Sequence, residues 1–351
     1  MTWRGPTLDA DQLDLLSMLQ SLAGDRDVTL TDTPDVVRGL VSTLAELGVW
    51  TLGVEESYGG GGADAVTTAV AWTQLGRSWP ALGWASVQAH AAVAVVGPDA
   101  RCAQLVGALH LGAAAVAVVD ASSPHVRLAW DGDILRGTVD RVDAAAEEPH
   151  LLVLDGPDAA LLVQRSALTM TALRRSGLGG ALTRSARVDA GSGDVVELRG
   201  VDADRARARL HRGAALVAAG IASAAVDAAT AYSADRHQFG DALTALPTVR
   251  QSLLEQAAGA SVALTAALDP LTDPIRALAA AREACDGAVE VAAAALQSHG
   301  GYGYLTEYPP ERLLRDAVSL RAAIDLHGAA VRAARLLVGR PDTDTLHRKA
   351  S

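Results

Sequence analysis

The chain of 351 residues carries a formal net charge of −11, and 50% of its residues are hydrophobic while only 3% are aromatic. Such a length can bury a substantial core and predicts more than one domain. The acidic balance argues against nucleic acid and anionic membranes as partners, because both attract an excess of Lys and Arg. Two distant cysteines, Cys102 and Cys285, give neither a disulfide framework nor a zinc signature.

The amino terminus carries no basic segment followed by an apolar run, so it does not predict a secretory signal. No apolar stretch is long enough, without glycine breaks or charges, to predict a membrane span. We therefore expect a cytoplasmic protein.

The first third of the chain is predicted to be helical. Apolar residues recur at helical spacing from Leu8 to Leu22, and Pro34 begins a second helix that ends at Gly48. The glycine run from Gly59 to Gly62 predicts a loop. Further helices are predicted over residues 63–75, 84–96 and 103–109. We expect an N-terminal helical domain over residues 1–114.

The pattern then changes to short apolar or alternating segments separated by Gly, Asp and Pro. This pattern predicts a small antiparallel β domain over residues 115–202. The segments begin at Ala115, Val126, Asp133, His150, Ala159, Thr169 and Asp194.

The helical pattern returns for the C-terminal part of the chain, residues 203–351. Long helices are predicted over residues 203–235, 246–268 and 274–298, and a terminal helix extends to Val338. The fold class is therefore mainly α with a central β domain.

Three segments resemble acyl-CoA dehydrogenase flavoproteins. LAELGVWTLGVEESYGGGGAD is similar to the family's helix ending in Leu-Gly and its Pro-Glu-x-Tyr-Gly-Gly motif, with Val54 in place of the proline. AYSADRHQFG is similar to Tyr-x-x-x-Arg-x-x-Phe-Gly, and LQSHGGYGYLTEYPPERLLRDA to Gln-x-x-Gly-Gly-x-Gly-Tyr with the Glu-Tyr and Arg-Asp-Ala segments that follow it. The resemblance implies an N-terminal helical domain, a middle antiparallel β domain and a C-terminal four-helix bundle.

The same resemblance implies FAD as the cofactor and an acyl-CoA thioester as the substrate. It assigns the cofactor contacts to Arg236, Gln238, Phe239, Gln297, Gly300 and Gly301. A guanidinium suits a pyrophosphate because it offers fixed donors and keeps its charge, and glycine lets the backbone approach a cofactor closely. In this family these elements reach across a subunit interface to a neighbour's flavin, so the resemblance implies an oligomer.

The chain departs from the family pattern in the β half of its own flavin site. Where the family has Thr-x-Pro-x-x-Gly-Ser-Asp, only Asp120, Ser122 and Ser123 remain as polar contacts. The segment from Gly137 to Leu154 also lacks the tryptophan and the threonine of the family's Trp-Ile-Thr-like strand at the place where the flavin ring is met.

The catalytic base departs from the pattern as well. The family's proton abstraction needs a carboxylate, usually a glutamate shortly after the Arg-Asp-Ala segment. That region of this chain contains Asp325 and His327 but no glutamate, and a second family position for the base falls at or near Leu210. Asp325 is the candidate base, since a related nitroalkane-oxidising branch uses aspartate. Asp325 and His327 equally fit ordinary helix-cap or interface residues.

Three functions follow from these observations. In the first, the chain is the non-catalytic subunit of a heteromeric acyl-CoA dehydrogenase, of the kind found in actinobacterial sterol degradation, and completes the FAD site of a second subunit. In the second, it is a self-sufficient flavin-dependent dehydrogenase or oxidase that uses Asp325 and assembles with copies of itself. In the third, it is a structural paralogue that binds no flavin.

Overall fold

The computed structural model describes residues 3–26, 29–238, 240–268, 273–340 and residue 346. Along the chain, helices come first, strands follow and long helices come last. This order confirms the predicted layout of helical, β and helical parts.

The N-terminal helices begin and end where the sequence supplies signals. Pro34 lies in the first turn of its helix, and Gly48, with a φ of +72°, follows the end of that helix. Asp64 caps the next helix by accepting a 2.7 Å hydrogen bond from the Thr67 backbone N–H. Among the described residues, the α-helices of this part are α1 (Ala10–Arg26), α2 (Pro34–Glu46), α3 (Ala65–Ser78), α4 (Pro80–Val96) and α5 (Ala103–His110).

Within the described residues, the middle part forms two four-stranded sheets, ordered β1-β4-β5-β8 and β2-β3-β7-β6. The strands are β1 (Val116–Asp120), β2 (Val126–Asp131), β3 (Ile134–Val142), β4 (His150–Asp155), β5 (Ala159–Val163), β6 (Leu168–Ala172), β7 (Arg184–Gly191) and β8 (Val195–Arg199). The pairings are antiparallel except for β1 with β4, which is parallel. The predicted antiparallel β domain is confirmed, and the pairing of β1 with β4 is a parallel addition to it.

Strand β7 was not predicted, although it lies between β3 and β6. Its buried positions are Ala186, Val188 and Ala190, which alternate with more exposed residues. Two of these three side chains are alanine, so the period of two is present but its hydrophobic contrast is weak.

The C-terminal part is built on α6 (Ala203–Asp235), whose bounds match the predicted helix. A short hairpin of β9 (His237–Gln238) and β10 (Asp241–Ala242) follows, and then α7 (Pro247–Leu268) and α8 (Pro274–His299). The single terminal helix that we predicted is two helices, α9 (Pro310–Ala323) and α10 (Leu326–Leu337). The break lies at Asp325, whose φ of +44° cannot continue a right-handed helix.

Helix α6 joins the N-terminal helices to the C-terminal bundle. By length and composition alone this helix could cross a membrane, but 72% of its most apolar 18-residue stretch is buried inside the protein. It packs against α3 so closely that a Cβ at Gly220 would lie 2.2 Å from the Thr73 carbonyl oxygen, and one at Gly76 would lie 2.2 Å from the Val217 carbonyl oxygen. Glycine is therefore required on both helices at this crossing.

Candidate functional site

The residues selected from the sequence lie in two separate places. One group surrounds the end of α6 and the end of α8, at one end of the helical bundle. Asp325 instead lines a cavity between the β sheets and the bundle.

At the bundle end, Arg236 follows the last residue of α6. Its backbone is extended, and its N–H donates to the Tyr232 carbonyl at 2.9 Å. Gln238 is exposed in the β9–β10 hairpin. Phe239 lies outside the described residues.

Gln297 is exposed in the last turn of α8, and the chain then turns sharply through a short 3-10 helix, Gly300–Tyr304. Gly300 has a φ of +56° and a ψ of −137°, a conformation that favours glycine. A Cβ at either Gly300 or Gly301 would meet nothing within 4 Å. The backbone at this turn is therefore open to close approach from outside.

Four rings pack together beneath these segments and connect α6, α8, the Gly300–Tyr304 turn and the bend before α9. Tyr232 stacks on His299 with centroids 4.3 Å apart, and Tyr308 meets Tyr232 edge-on at 5.8 Å. Tyr302 lies 5.9 Å from Tyr308. These contacts fix the relative position of the two motifs that the sequence placed about 60 residues apart.

The Arg236 guanidinium lies over the Tyr302 ring, with its central carbon 5.3 Å from the ring centroid. Among the residues that the structure describes, its N–H groups donate no hydrogen bond and form no ion pair. A half-buried cation with free donors stands beside open glycine backbone, which is a suitable arrangement for an anionic group.

The cavity that contains Asp325 has a volume of about 320 Å³. It is lined by β1 and the turn after it, by β3, by the first part of α6, and by the α9–α10 break. Asp325 caps α10: one carboxylate oxygen accepts from the Gly328 N–H at 3.2 Å, and the other accepts a short hydrogen bond from the Ser123 hydroxyl. His327 is exposed.

Asp120 at the end of β1 and the two serines that follow it are all hydrogen-bonded to other groups of this chain. Ser123 donates to Asp325, as described above, and Ser122 donates to Asp120 from its backbone N–H and its hydroxyl. Asp120 also accepts from the Arg207 Nε. Burial raises the pKa of Asp120, but the adjacent Arg207 and Ser122 outweigh burial, so the pKa is lowered and the carboxylate is charged.

Two buried arginines occupy the floor of the same cavity. Arg207 Nη1 donates to Asp204 at 3.0 Å and to the Gly156 carbonyl at 2.7 Å, and Arg332 Nη2 donates to Asp204 at 2.6 Å. His211, one turn after Arg207 on α6, also lines the cavity, and burial lowers its pKa to about 4. Sequence reasoning missed this network, because its members come from β1, α6 and α10 and share no local motif.

Two family models match the chain. The acyl-CoA dehydrogenase N-terminal domain matches residues 20–103, and the acyl-CoA dehydrogenase C-terminal domain matches residues 199–324. The chain belongs to the acyl-CoA dehydrogenase family. Members of this family are FAD-dependent oxidoreductases. An acyl-CoA dehydrogenase of Bacillus subtilis (strain 168) is 29% identical over 324 residues, which cover 79% of this chain and 83% of that protein.

Solved structures of the same fold cover nearly the whole chain. Glutaryl-CoA dehydrogenase from Mycobacterium smegmatis superposes with a TM-score of 0.78 at 18% identity and covers 96% of both chains. A second structure of a glutaryl-CoA dehydrogenase from that organism, in complex with FADH2, gives a TM-score of 0.77 at 16% identity and covers 95% of this chain and 96% of that one. A variant of the Tcur3481-Tcur3483 steroid ACAD gives 0.73 at 22% identity and covers 95% of this chain and 99% of that one.

The two places differ in how well they fit FAD. At the bundle end, the free donors of Arg236 and the open backbone at Gly300 and Gly301 fit a pyrophosphate. In the cavity, Asp120, Ser122 and Ser123 are already hydrogen-bonded to groups of this chain. Within the described residues, the buried atoms His211 Nδ1 and Arg207 Nη2 have no hydrogen-bond partner there. Arg141 also extends into this cavity, where it is paired with Asp143 and with the Ser319 carbonyl.

Proposed function

We propose that the chain is the subunit of a heteromeric acyl-CoA dehydrogenase that lacks the catalytic base and completes the FAD site of a second subunit. One observation carries the proposal. The Arg236 guanidinium has free donors within the described residues, and the backbone at Gly300 and Gly301 is open to close approach. In the cavity, by contrast, Asp120 accepts from Arg207 and Ser123 donates to Asp325.

The surface around the free arginine supports the proposal. Tyr302, Tyr304 and Leu305 are 44%, 69% and 46% exposed and follow one another along the turn after α8. Exposed apolar and aromatic side chains in one short segment are typical of surfaces that another protein covers. A second subunit on this face would bring its flavin to Arg236.

When bound, FAD supplies the hydride acceptor for the α,β-desaturation of an acyl-CoA thioester. In the proposed complex the second subunit brings the carboxylate base, and Arg236, Gln238, Phe239 and Gln297 of this chain hold the cofactor. Asp325 keeps its helix-capping contacts. A sterol-derived acyl group is the proposed substrate, supported by the likeness in fold to a steroid ACAD, and the cytoplasm is the proposed location.

Co-expression with a companion dehydrogenase that carries the glutamate tests this function. We expect a stable complex with one flavin for each pair of different subunits, measured by flavin absorbance against protein concentration. Purification of this chain alone as a homo-oligomer with one flavin per chain and acyl-CoA turnover would contradict the proposal. A complex without flavin would favour the structural paralogue.

A substitution at Arg236 tests whether the flavin contacts the bundle end of this chain. Arg236→Ala is expected to weaken FAD retention by the complex by about 10- to 100-fold, because charge-assisted hydrogen bonds to the pyrophosphate are lost. Arg282→Ala is the matched control, since Arg282 is an exposed arginine of α8 in the same bundle. Equal flavin content in both variants would show that the bundle end does not hold the cofactor.

A further inference from the structure

The ring of Tyr302 connects the two segments that the proposed function directs to the flavin. Arg236 ends α6, and Tyr302 lies in the turn after α8, with the guanidinium carbon 5.3 Å from the ring centroid. A cation within about 6 Å of an aromatic ring is attracted by the electrons of its face. Within the described residues this contact leaves the guanidinium N–H groups without a hydrogen-bond acceptor, so they can donate to another group.

Other rings hold the Tyr302 ring in place. Tyr302 lies 6.5 Å from Tyr232, and its ring meets that of Tyr308 edge-on at 5.9 Å. The Tyr302 hydroxyl forms no hydrogen bond within the part of the chain that the structure describes, so only the ring contributes to these contacts. The position of Tyr302 is therefore set by packing of its ring.

His299 supports this ring cluster from inside the bundle. It is buried beneath Tyr232, and its Nδ1 donates to the Ala295 carbonyl at 2.8 Å. Burial lowers the pKa of His299 against the effect of that hydrogen bond, so the imidazole is neutral near pH 7. A neutral ring adds no positive charge to repel Arg236.

We propose that Tyr302 is a positioning residue for Arg236, holding the guanidinium in the orientation that meets the flavin pyrophosphate of the second subunit. The inference rests on the proposed function and deepens it. A free arginine side chain has many rotamers, and ordering them on binding costs affinity. The Tyr302 ring orders the side chain before the cofactor arrives.

Titration of the flavin-free complex with FAD, followed by flavin fluorescence, tests this role. Tyr302→Leu removes the ring and is expected to weaken FAD binding by roughly 3- to 30-fold, the range of a cation–π contact at exposed to partly buried sites. Tyr302→Phe keeps the ring and is expected to bind FAD within about 2-fold of the unaltered complex. Because Tyr302 is 44% exposed on the face that we propose meets the second subunit, size-exclusion chromatography of each flavin-free variant complex checks that the assembly is retained before the titration.

The Arg236→Ala variant separates this inference from the proposed function. If Tyr302 acts through Arg236, then Tyr302→Leu has no further effect on FAD affinity when Arg236 is already alanine. Unchanged affinity in Arg236→Ala would overturn the proposed function itself. Weakened affinity in Arg236→Ala together with unaltered affinity in Tyr302→Leu would overturn only the positioning role. The positioning role would also be overturned if Tyr302→Leu weakened FAD affinity equally with Arg236 present and with Arg236 replaced by alanine.

Discussion

At the scale of single residues, Asp325 has a structural role as a helix cap, which its backbone conformation and its carboxylate explain. Its backbone adopts a φ of +44°, a region that aspartate and asparagine enter more readily than most residues. Its carboxylate caps α10 through Gly328 and accepts a hydrogen bond from Ser123 on the β side of the cavity. The residue therefore ends α9, begins α10 and joins them to the sheet.

We expect Asp325→Ala to lower the free energy of unfolding by about 1–3 kcal/mol, because it removes the cap and strains a left-handed backbone. Turnover by the proposed heteromeric complex should change by less than about 2-fold. Thermal denaturation and steady-state assays measure the two effects. Asp325→Asn is the control, since asparagine can cap the helix and adopt the same backbone. A loss of several orders of magnitude in turnover in Asp325→Ala would instead support a self-sufficient enzyme with this base.

His90 is a second residue whose surroundings determine its protonation state. It is 1% exposed, its Nδ1 donates to the Ser86 carbonyl at 2.7 Å, and its Nε2 accepts from the Gly53 N–H at 3.0 Å. A proton on Nε2 would point at another donor, so these contacts require the neutral ring. Burial lowers the pKa of His90 to about 3.

This shift predicts a pH dependence of stability. In the unfolded chain His90 takes up a proton as the pH falls through about 6.5, whereas the folded protein resists protonation until about pH 3. The contribution of His90 is therefore complete above pH 6.5 and is lost on acidification, at up to roughly 1.4 kcal/mol per pH unit. Urea unfolding of His90→Gln should show a smaller slope with pH than the unaltered protein between pH 6 and pH 4. Above pH 7 the two slopes should coincide, and parallel curves throughout would refute the assignment.

At the scale of secondary-structure elements, the crossing of α3 and α6 depends on two glycines. Gly76 and Gly220 each face a backbone carbonyl of the other helix at a distance that leaves no room for a side chain. The helices approach closely because small alanine and glycine residues fill their interface. Since the core has few large aromatic side chains to fill space, this close approach keeps it densely packed.

Gly220→Ala should therefore destabilise the protein by about 1–3 kcal/mol or more, because the added methyl group would overlap the Thr73 carbonyl. Gly287→Ala in α8 is the matched control: a Cβ there meets nothing within 4 Å, and alanine favours a helix by up to about 1 kcal/mol over glycine. Thermal unfolding should move the two midpoints in opposite directions. An equal shift would mean that the crossing tolerates a side chain.

The sequence predicted long elements better than weak ones. Helix α6 was predicted with its observed bounds, since its alanine-rich pattern runs from a capping Asp202 to Arg236 without a break. Strand β7 was missed because alanines carry its buried face, and the α9–α10 break was missed because no glycine or proline marks Asp325. In both cases tertiary contacts determine a structure that local patterns do not reveal.

At the scale of the whole molecule, a buried network of charges joins the β domain to the bundle. Asp204 at the start of α6 accepts from Arg207 and from Arg332 of α10, while Arg207 reaches Asp120 at the end of β1. Both guanidinium groups are almost fully buried. Removal of the Asp204 carboxylate leaves two buried cations with fewer partners. The resulting loss of stability exceeds the net stabilisation that the ion pairs provided, because a buried charge without its partner is unfavourable.

We expect Asp204→Ala to lower the free energy of unfolding by about 3 kcal/mol or more. Asp35→Ala is the comparison, because Asp35 pairs with Arg38 on an exposed surface of α2 and its loss should cost less than about 1 kcal/mol. Urea midpoints with unchanged m-values measure both. Similar midpoints for the two variants would show that the network does not hold the domains together.

The candidate site was predictable only in part. The motif residues Arg236, Gln297, Gly300 and Gly301 could be selected from the sequence, because they follow one another in a recognisable order. The ring cluster that brings Arg236 to Tyr302 could not, since it arises from the packing of α6 and α8 with the segment between α8 and α9.

Helix α6 also sets a fixed length between the two functional regions. Arg207 and Arg236 stand near its opposite ends, about 43 Å apart at 1.5 Å per residue. At such a separation Arg207 and Arg236 cannot touch, so a substitution of one removes no contact of the other. After a gene duplication, one copy could therefore lose its own catalytic site and keep its contribution to its sister's. Selection on the two ends would then act independently.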